Sequence, residues 1–134
     1  FKKHICEVYI APFDVRLPNQ GTQNDKVYTV VQPDICVICD PDKLDDKGCI
    51  GAPDLIIEVL SPGNSRKEMR DKYSLYESAG VKEYWLVLPS ENTLMVYTLN
   101  NEGQFIGKQP VTETETIGSD LFPGLSIELK EVFP

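Results

Sequence analysis

Three residues of this chain join a chemically capable side chain to a spacing that brings them together: Asp34, Glu58 and Lys72. Glu58 interrupts an apolar run, Leu55-Ile56-Ile57-Glu58-Val59-Leu60, bounded by Gly51-Ala52-Pro53 before and Ser61-Pro62-Gly63 after. A short apolar run between turn residues predicts a buried β-strand. A carboxylate inside such a strand is costly unless something pairs with it or binds it. Side chains alternate along a strand, so Asp54, Ile56, Glu58 and Leu60 share one face. Leu55, Ile57, Val59 and Ser61 share the other.

The strand before it, Asp34–Asp40, is rich in Ile and Val, and Pro41–Gly48 reads as a solvated turn. Two strands joined that way form an antiparallel hairpin. With the turn centred near Asp46, facing residues have numbers that sum to about 92, a register that a long loop can shift by a residue or two. Asp34 then faces Glu58, and Asp40 falls near Asp54. Asp54 itself lies roughly 13 Å along the strand from Glu58, too far to share a metal with it.

The clearest helix follows. Ser65 to Glu68 fits an S-x-x-E capping box. Met69, Lys72, Tyr73, Tyr76 and Ala79 recur at helical spacing and mark its inward face, and Gly80 suits the C-terminal stop. Lys72 is the anomaly on that stripe. Glu83–Leu88 is the next buried strand, so strand, helix and strand form a βαβ unit with parallel strands. Upstream, Cys6–Leu17 reads as a strand bent at Pro12, 18–25 as a polar loop, and Lys26–Val31 as a short strand. Downstream, Thr93–Leu99 and Phe105–Thr112 form an antiparallel meander, and Leu121–Ile127 supplies apolar anchors and a last short strand.

The totals bound the function. The 134 residues fit one domain, spanning 1–134. The chain opens at Phe1 with strand-like sequence soon after, which suggests that an N-terminal piece is missing. Net charge is −8, which argues against a non-specific nucleic-acid coat but leaves room for a local basic groove. No apolar run approaches the roughly 20 residues of a membrane span. Cys36 and Cys39 have C-x-x-C spacing, but on a strand they point to opposite faces and cannot share one metal. Cys6, Cys36, Cys39 and Cys49 therefore read as reduced, buried or half-buried thiols of a cytoplasmic protein. His4, the one histidine, gets no role. No Ser-His-Asp set, phosphate loop or dinucleotide fingerprint occurs.

Pro33-Asp34 at a strand start, Glu58-Val59-Leu60 on the next strand, and Asp71-Lys72 through Tyr76-Glu77-Ser78-Ala79-Gly80 into Tyr84-Trp85-Leu86-Val87 resemble the PD-(D/E)XK restriction-endonuclease-like superfamily. They look most like its bacterial restriction-endonuclease branch, as does the closing Phe122-Pro123-Gly124-Leu125. The likeness covers roughly residues 6 to 128. It implies an α/β fold with a mixed sheet, an αβββαβ core whose first helix would lie in the missing N-terminal piece. It implies Mg²⁺ or Mn²⁺ held by Asp34, Glu58 and the Val59 carbonyl, with Asp34, Glu58 and Lys72 as the catalytic set. Mg²⁺ prefers carboxylate oxygens and keeps waters. The substrate implied is DNA, with RNA left open. A chain this small that cuts both strands would act as a homodimer. Leu60 departs from the pattern, because it occupies the position where the superfamily has its lysine. Lys72, on the inward helix face, is the natural replacement.

Each residue has a plainer reading. Pro-Asp is common turn chemistry, Glu58 and Lys72 could form a buried ion pair, and Lys72 could lay its stem on apolar surface with its ammonium in water. Arg66, Lys67 and Arg70 could meet phosphates or be a solvated face. The leading expectation is a metal-dependent nuclease acting on phosphodiesters. The alternative is a non-catalytic relative that serves as a dimerising or nucleic-acid-binding module.

Overall fold

A computed structural model of the chain describes residues 6–18, 28–63 and 66–133. Its strands in chain order are β1 (Glu7–Ile10), β2 (Val15–Pro18), β3 (Tyr28–Val31), β4 (Ile35–Ile38), β5 (Leu44–Asp45), β6 (Gly48–Ile50), β7 (Leu55–Val59), β8 (Glu83–Leu88), β9 (Thr93–Leu99), β10 (Phe105–Gly107), β11 (Val111–Thr112), β12 (Thr116–Gly118) and β13 (Ser126–Glu128), with helix α1 (Arg66–Ala79) between β7 and β8. The main sheet runs β1-β4-β7-β8-β9-β10, with β11 also pairing β9. β1, β4 and β7 are antiparallel neighbours, and α1 then carries the chain to β8, parallel to β7. That is the βββαβ portion of the expected core. The polar loop 19–25 and the Ser65 half of the capping box lie outside the described residues.

The β4–β7 register is the one the sequence predicts: Ile35 faces Ile57, Cys36 faces Ile56 and Val37 faces Leu55. One step beyond the ladder, Asp34 meets Glu58.

The near-continuous apolar runs of β4, β7 and β8 have a cause in the layering. Both faces of the sheet are covered. Cys36, Ile38, Ile56, Tyr84 and Leu86 pack on one face with Tyr76 of α1 and with Val15, Leu17 and Cys49. Val37, Leu55, Trp85, Val87 and Leu94 pack on the other with Ile117, Phe122, Leu129 and Phe133 from the C-terminal segment. Removing this apolar surface from water is the main stabilising term, at roughly 25 cal/mol per Å².

Three expectations are corrected. Cys6–Leu17 is not one bent strand: it divides at the Ala11-Pro12 cis peptide into β1 and β2, which join different sheets. The connection between β4 and β7 is not a simple solvated turn. It makes a short 3-10 turn at Pro41–Lys43 and then the β5–β6 pair, which joins β2 and β3 in a second sheet. Two- and three-residue strands with Asp and Gly carry no alternation from which to read them. Gly48 (φ +127°) makes that pair possible, because a Cβ there would lie 2.2 Å from the Asp14 carbonyl oxygen. Finally, Cys6 and Cys39 are not free thiols. The β1–β4 ladder sets Glu7 opposite Ile38, so the next step outward sets Cys6 beside Cys39, and they form a disulfide with Cα atoms 4.0 Å apart. Cys36 and Cys49 remain free and buried, and Cys36 and Cys39 do lie on opposite faces.

Candidate active site

Asp34 and Glu58 are locked to each other's backbone. The Asp34 amide donates to Glu58 Oε1 at 3.0 Å, and the Val59 amide donates to Asp34 Oδ2 at 2.7 Å. The origin of this exchange is the register. At the end of the β4–β7 ladder, where regular backbone pairing stops, each carboxylate takes an amide of the facing strand. The β1 side is tied in as well, because the Ala11 amide donates to the Asp34 carbonyl at 3.0 Å. Both carboxylates are thereby held in single orientations at one end of two adjacent strands.

Glu58 is 4% exposed. Its second oxygen, Oε2, accepts the Tyr76 hydroxyl at 3.0 Å and lies 2.8 Å from Lys72 Nζ. Tyr76 and Lys72 are four residues apart on α1, so both project from the same helix face onto β7. Burial, and then the Glu58 charge, push the Tyr76 hydroxyl far above its ordinary range, so Tyr76 stays a donor. Tyr84 is raised by burial and then by Glu58 in the same way. The Lys72 side chain is 42% exposed. Its ammonium therefore reaches the buried carboxylate from the solvent side.

A recess of about 20 Å³, roughly the room one water needs, opens between β7 and α1 and is lined by Glu58, Val59, Leu60, Glu68 and Lys72 among others. Asp34, Glu58 and Lys72 are therefore brought to one place. Leu60 contributes only an apolar wall. Glu68 and Tyr76 are the members that sequence reasoning did not assign. Glu68 reads as a helix cap, and Tyr76 as a core aromatic. The signal that could have found Tyr76 is its four-residue offset from Lys72 on the stripe facing the Glu58 strand.

Two other buried carboxylates show what a structural acid looks like here. Glu83 accepts Trp85 Nε1–H at 2.9 Å and the Ser119 hydroxyl at 2.7 Å. Asp54 accepts the Cys39 amide at 2.7 Å, next to Asp40, and lies 3.2 Å from Lys82 Nζ. The Glu83 amide donates to the Asp54 carbonyl at 3.1 Å, but among the described residues neither carboxylate accepts the amide of a second acid.

The carboxylates at the recess, Glu58 and Glu68, offer hard oxygen ligands, beside the Met69 thioether. Among the described residues Asp34 Oδ1 takes no hydrogen bond, and no cluster of three or more His, Cys, Asp or Glu residues is arranged to hold a metal. Two carboxylates and a carbonyl nevertheless suit a hydrated Mg²⁺, which is bound through one or two carboxylates and keeps several waters.

Residues 1–130 match the model of the Uma2 family, described as "Putative restriction endonuclease". The chain belongs to this family. With it, the chain takes its place in the restriction-endonuclease-like superfamily. The Uma2 chain is 30% identical over 102 residues to the uncharacterized protein slr1290 of Synechocystis sp. (strain ATCC 27184 / PCC 6803 / Kazusa), covering 75% of this chain and 50% of that protein. It therefore spans about half the length of that relative. Its fold matches a crystal structure described as "a putative nuclease belonging to DUF820" from Anabaena variabilis ATCC 29413, with a TM-score of 0.69 at 20% identity, over 97% of this chain and 69% of that one. Among the described residues, no helix is long and apolar enough to cross a membrane.

Proposed function

We propose that this Uma2 domain is a metal-dependent endonuclease that hydrolyses DNA phosphodiester bonds, with Asp34, Glu58 and the Val59 carbonyl holding Mg²⁺ or Mn²⁺. The observation that carries the reading is the reciprocal lock of Asp34 and Glu58 beside the Lys72 ammonium. DNA is preferred to RNA because the family's description, "Putative restriction endonuclease", names a class of enzyme that cuts DNA.

When bound, the metal would polarise the phosphodiester and supply hydroxide near neutral pH. The chain's own part is positioning. The Asp34 and Val59 amides fix the carboxylate orientations, and Tyr76 holds Glu58 from the buried side, as outer partners do for metal ligands generally. Lys72 brings positive charge to the mouth of the recess. There it orients water and stabilises charge on the phosphate in the transition state. It takes over the place that Leu60 leaves vacant in the superfamily pattern.

The competing reading, a non-catalytic relative, draws on one observation. Glu58 is already satisfied within the chain, with Oε1 taken by the Asp34 amide and Oε2 by Tyr76 and Lys72. The two readings part in a nicking assay. Supercoiled plasmid incubated with purified protein and Mn²⁺ is converted to open circles on the nuclease reading, and EDTA stops the conversion. Intact supercoiled DNA at high protein concentration would leave the binding-module reading. On the nuclease reading, cutting both strands of a duplex calls for a two-fold dimer. A single monomer boundary in concentrated sedimentation runs would remove the dimer.

A further inference from the structure

A hollow of about 250 Å³ adjoins the Glu58–Lys72 recess, between α1 and the strands β8 and β9. Arg66, Arg70, Tyr73, Tyr84 and Tyr97 line it. The hollow and the recess share Met69, Tyr84 and Leu86 as a common wall, so the two adjoin.

Its chemistry differs from that of the recess. Tyr73 meets Tyr97 edge-on at 5.1 Å between ring centroids, and Tyr97 stacks against Tyr84 at 6.0 Å. Arg66 and Arg70 are exposed and one helical turn apart, and among the described residues neither makes an ion pair. In a chain of net charge −8, two uncommitted guanidiniums beside an acidic recess form a local basic edge. Tyr84 supplies an independent pointer. It is 2% exposed, yet its hydroxyl makes no hydrogen bond among the described residues. The sealed side-chain oxygen without a partner is Thr98 Oγ1, not the Tyr84 hydroxyl. Tyr84 lines both the hollow and the recess.

We propose that this hollow receives one unpaired nucleobase of the strand whose phosphate lies at the mouth of the Glu58–Lys72 recess, with Arg66 and Arg70 on the flanking phosphates. The inference rests on the nuclease reading and deepens it by naming the substrate class: single-stranded, frayed or flipped-out nucleic acid rather than uninterrupted duplex. Size supports it, because the hollow falls just below the ~300–1,000 Å³ of pockets that enclose drug-sized ligands. The lining supports it too. Aromatic rings stack on bases of any sequence, and arginines beside them meet the backbone. In a duplex the base faces are already stacked on one another and cannot reach such rings.

The test is fluorescence anisotropy in EDTA, where no cleavage occurs, with a labelled single-stranded oligonucleotide, the same strand carrying a central abasic site, and its duplex. The expected result is tighter binding of the intact single strand than of either competitor, by roughly ten-fold as loss of one stacked base implies. Arg66→Ala with Arg70→Ala should weaken binding and flatten the salt dependence by about 1.4 in logarithmic slope, two phosphate contacts at ~0.7 each. Tyr73→Leu, which keeps apolar volume, should weaken the intact strand but not the abasic one. Circular dichroism and thermal melting confirm that each variant is folded. Equal affinity for all three oligonucleotides, wild-type affinity in the arginine variant, or no binding at all overturns the inference. Nicking with Mn²⁺ separates the two claims. Nicking without base preference removes only this inference, and base-dependent binding without nicking removes only the nuclease reading.

Discussion

Lys72 Nζ lies 2.8 Å from Glu58 Oε2, the oxygen that also accepts the Tyr76 hydroxyl. A helix residue thus meets a strand residue at a buried carboxylate that accepts the amide of a second acid. Lys72→Ala should lower the nicking rate on the order of 10²-fold or more, as removal of a preorganised donor does. Since the Lys72 side chain is 42% exposed, the stability cost should stay at or below about 1 kcal/mol. Lys72→Arg should not fully restore the rate, because a planar guanidinium presents its donors differently. Single-turnover nicking and a thermal melt measure both quantities. A wild-type rate in the Ala variant would reduce Lys72 to a surface lysine.

Tyr76→Phe keeps the ring in the core and deletes only the donor to Glu58. Hydrogen bonds to charged groups contribute about 1.5–3 kcal/mol, so urea unfolding should show a loss in that range. Because the Asp34 amide still holds Oε1, activity should fall less than in Lys72→Ala. An unchanged midpoint would mean that the hydroxyl contributes nothing to holding Glu58.

Gly48→Ala should destabilise by about 2 kcal/mol or more, since left-handed backbone alone costs roughly 1–3 kcal/mol outside glycine and the new Cβ would strike the Asp14 carbonyl. Denaturant titration reads this directly. A neutral result would show that the β5–β6 pair relaxes without cost.

Burial pushes the Cys36 thiol up to about 12 and the Cys49 thiol up to about 11, from an ordinary 9.0. Both should resist iodoacetamide at pH 8 in the folded protein and react readily in urea. The linkage has a definite sign. Above pH 9 the unfolded chain loses these protons while the folded chain keeps them, so stability falls as pH rises from about 9 towards 12. Rapid alkylation of native protein at pH 8 would contradict the buried placement.

Sequence patterning reached the middle of this fold well. The β4–β7 register, the helix stripe and the parallel β7–β8 pair follow from apolar periodicity and turn chemistry, and they suffice to put Asp34 opposite Glu58. What was illegible has physical reasons. β5 and β6 are too short and polar to alternate. The Cys6–Cys39 bond depends on the β1–β4 ladder, not on any local spacing. Glu68 and Tyr76 carry ordinary helix and core signals, and only the approach of α1 to β7 brings them to the site.

The account depends most on whether Asp34 and Glu58 hold a divalent ion. Calorimetric titration of Mn²⁺ into the purified protein tests that without requiring turnover. The prediction is one saturable site per chain, lost in Glu58→Gln and in Asp34→Asn while both variants remain folded. Absence of binding in the wild-type protein, or binding that survives both substitutions, would contradict it.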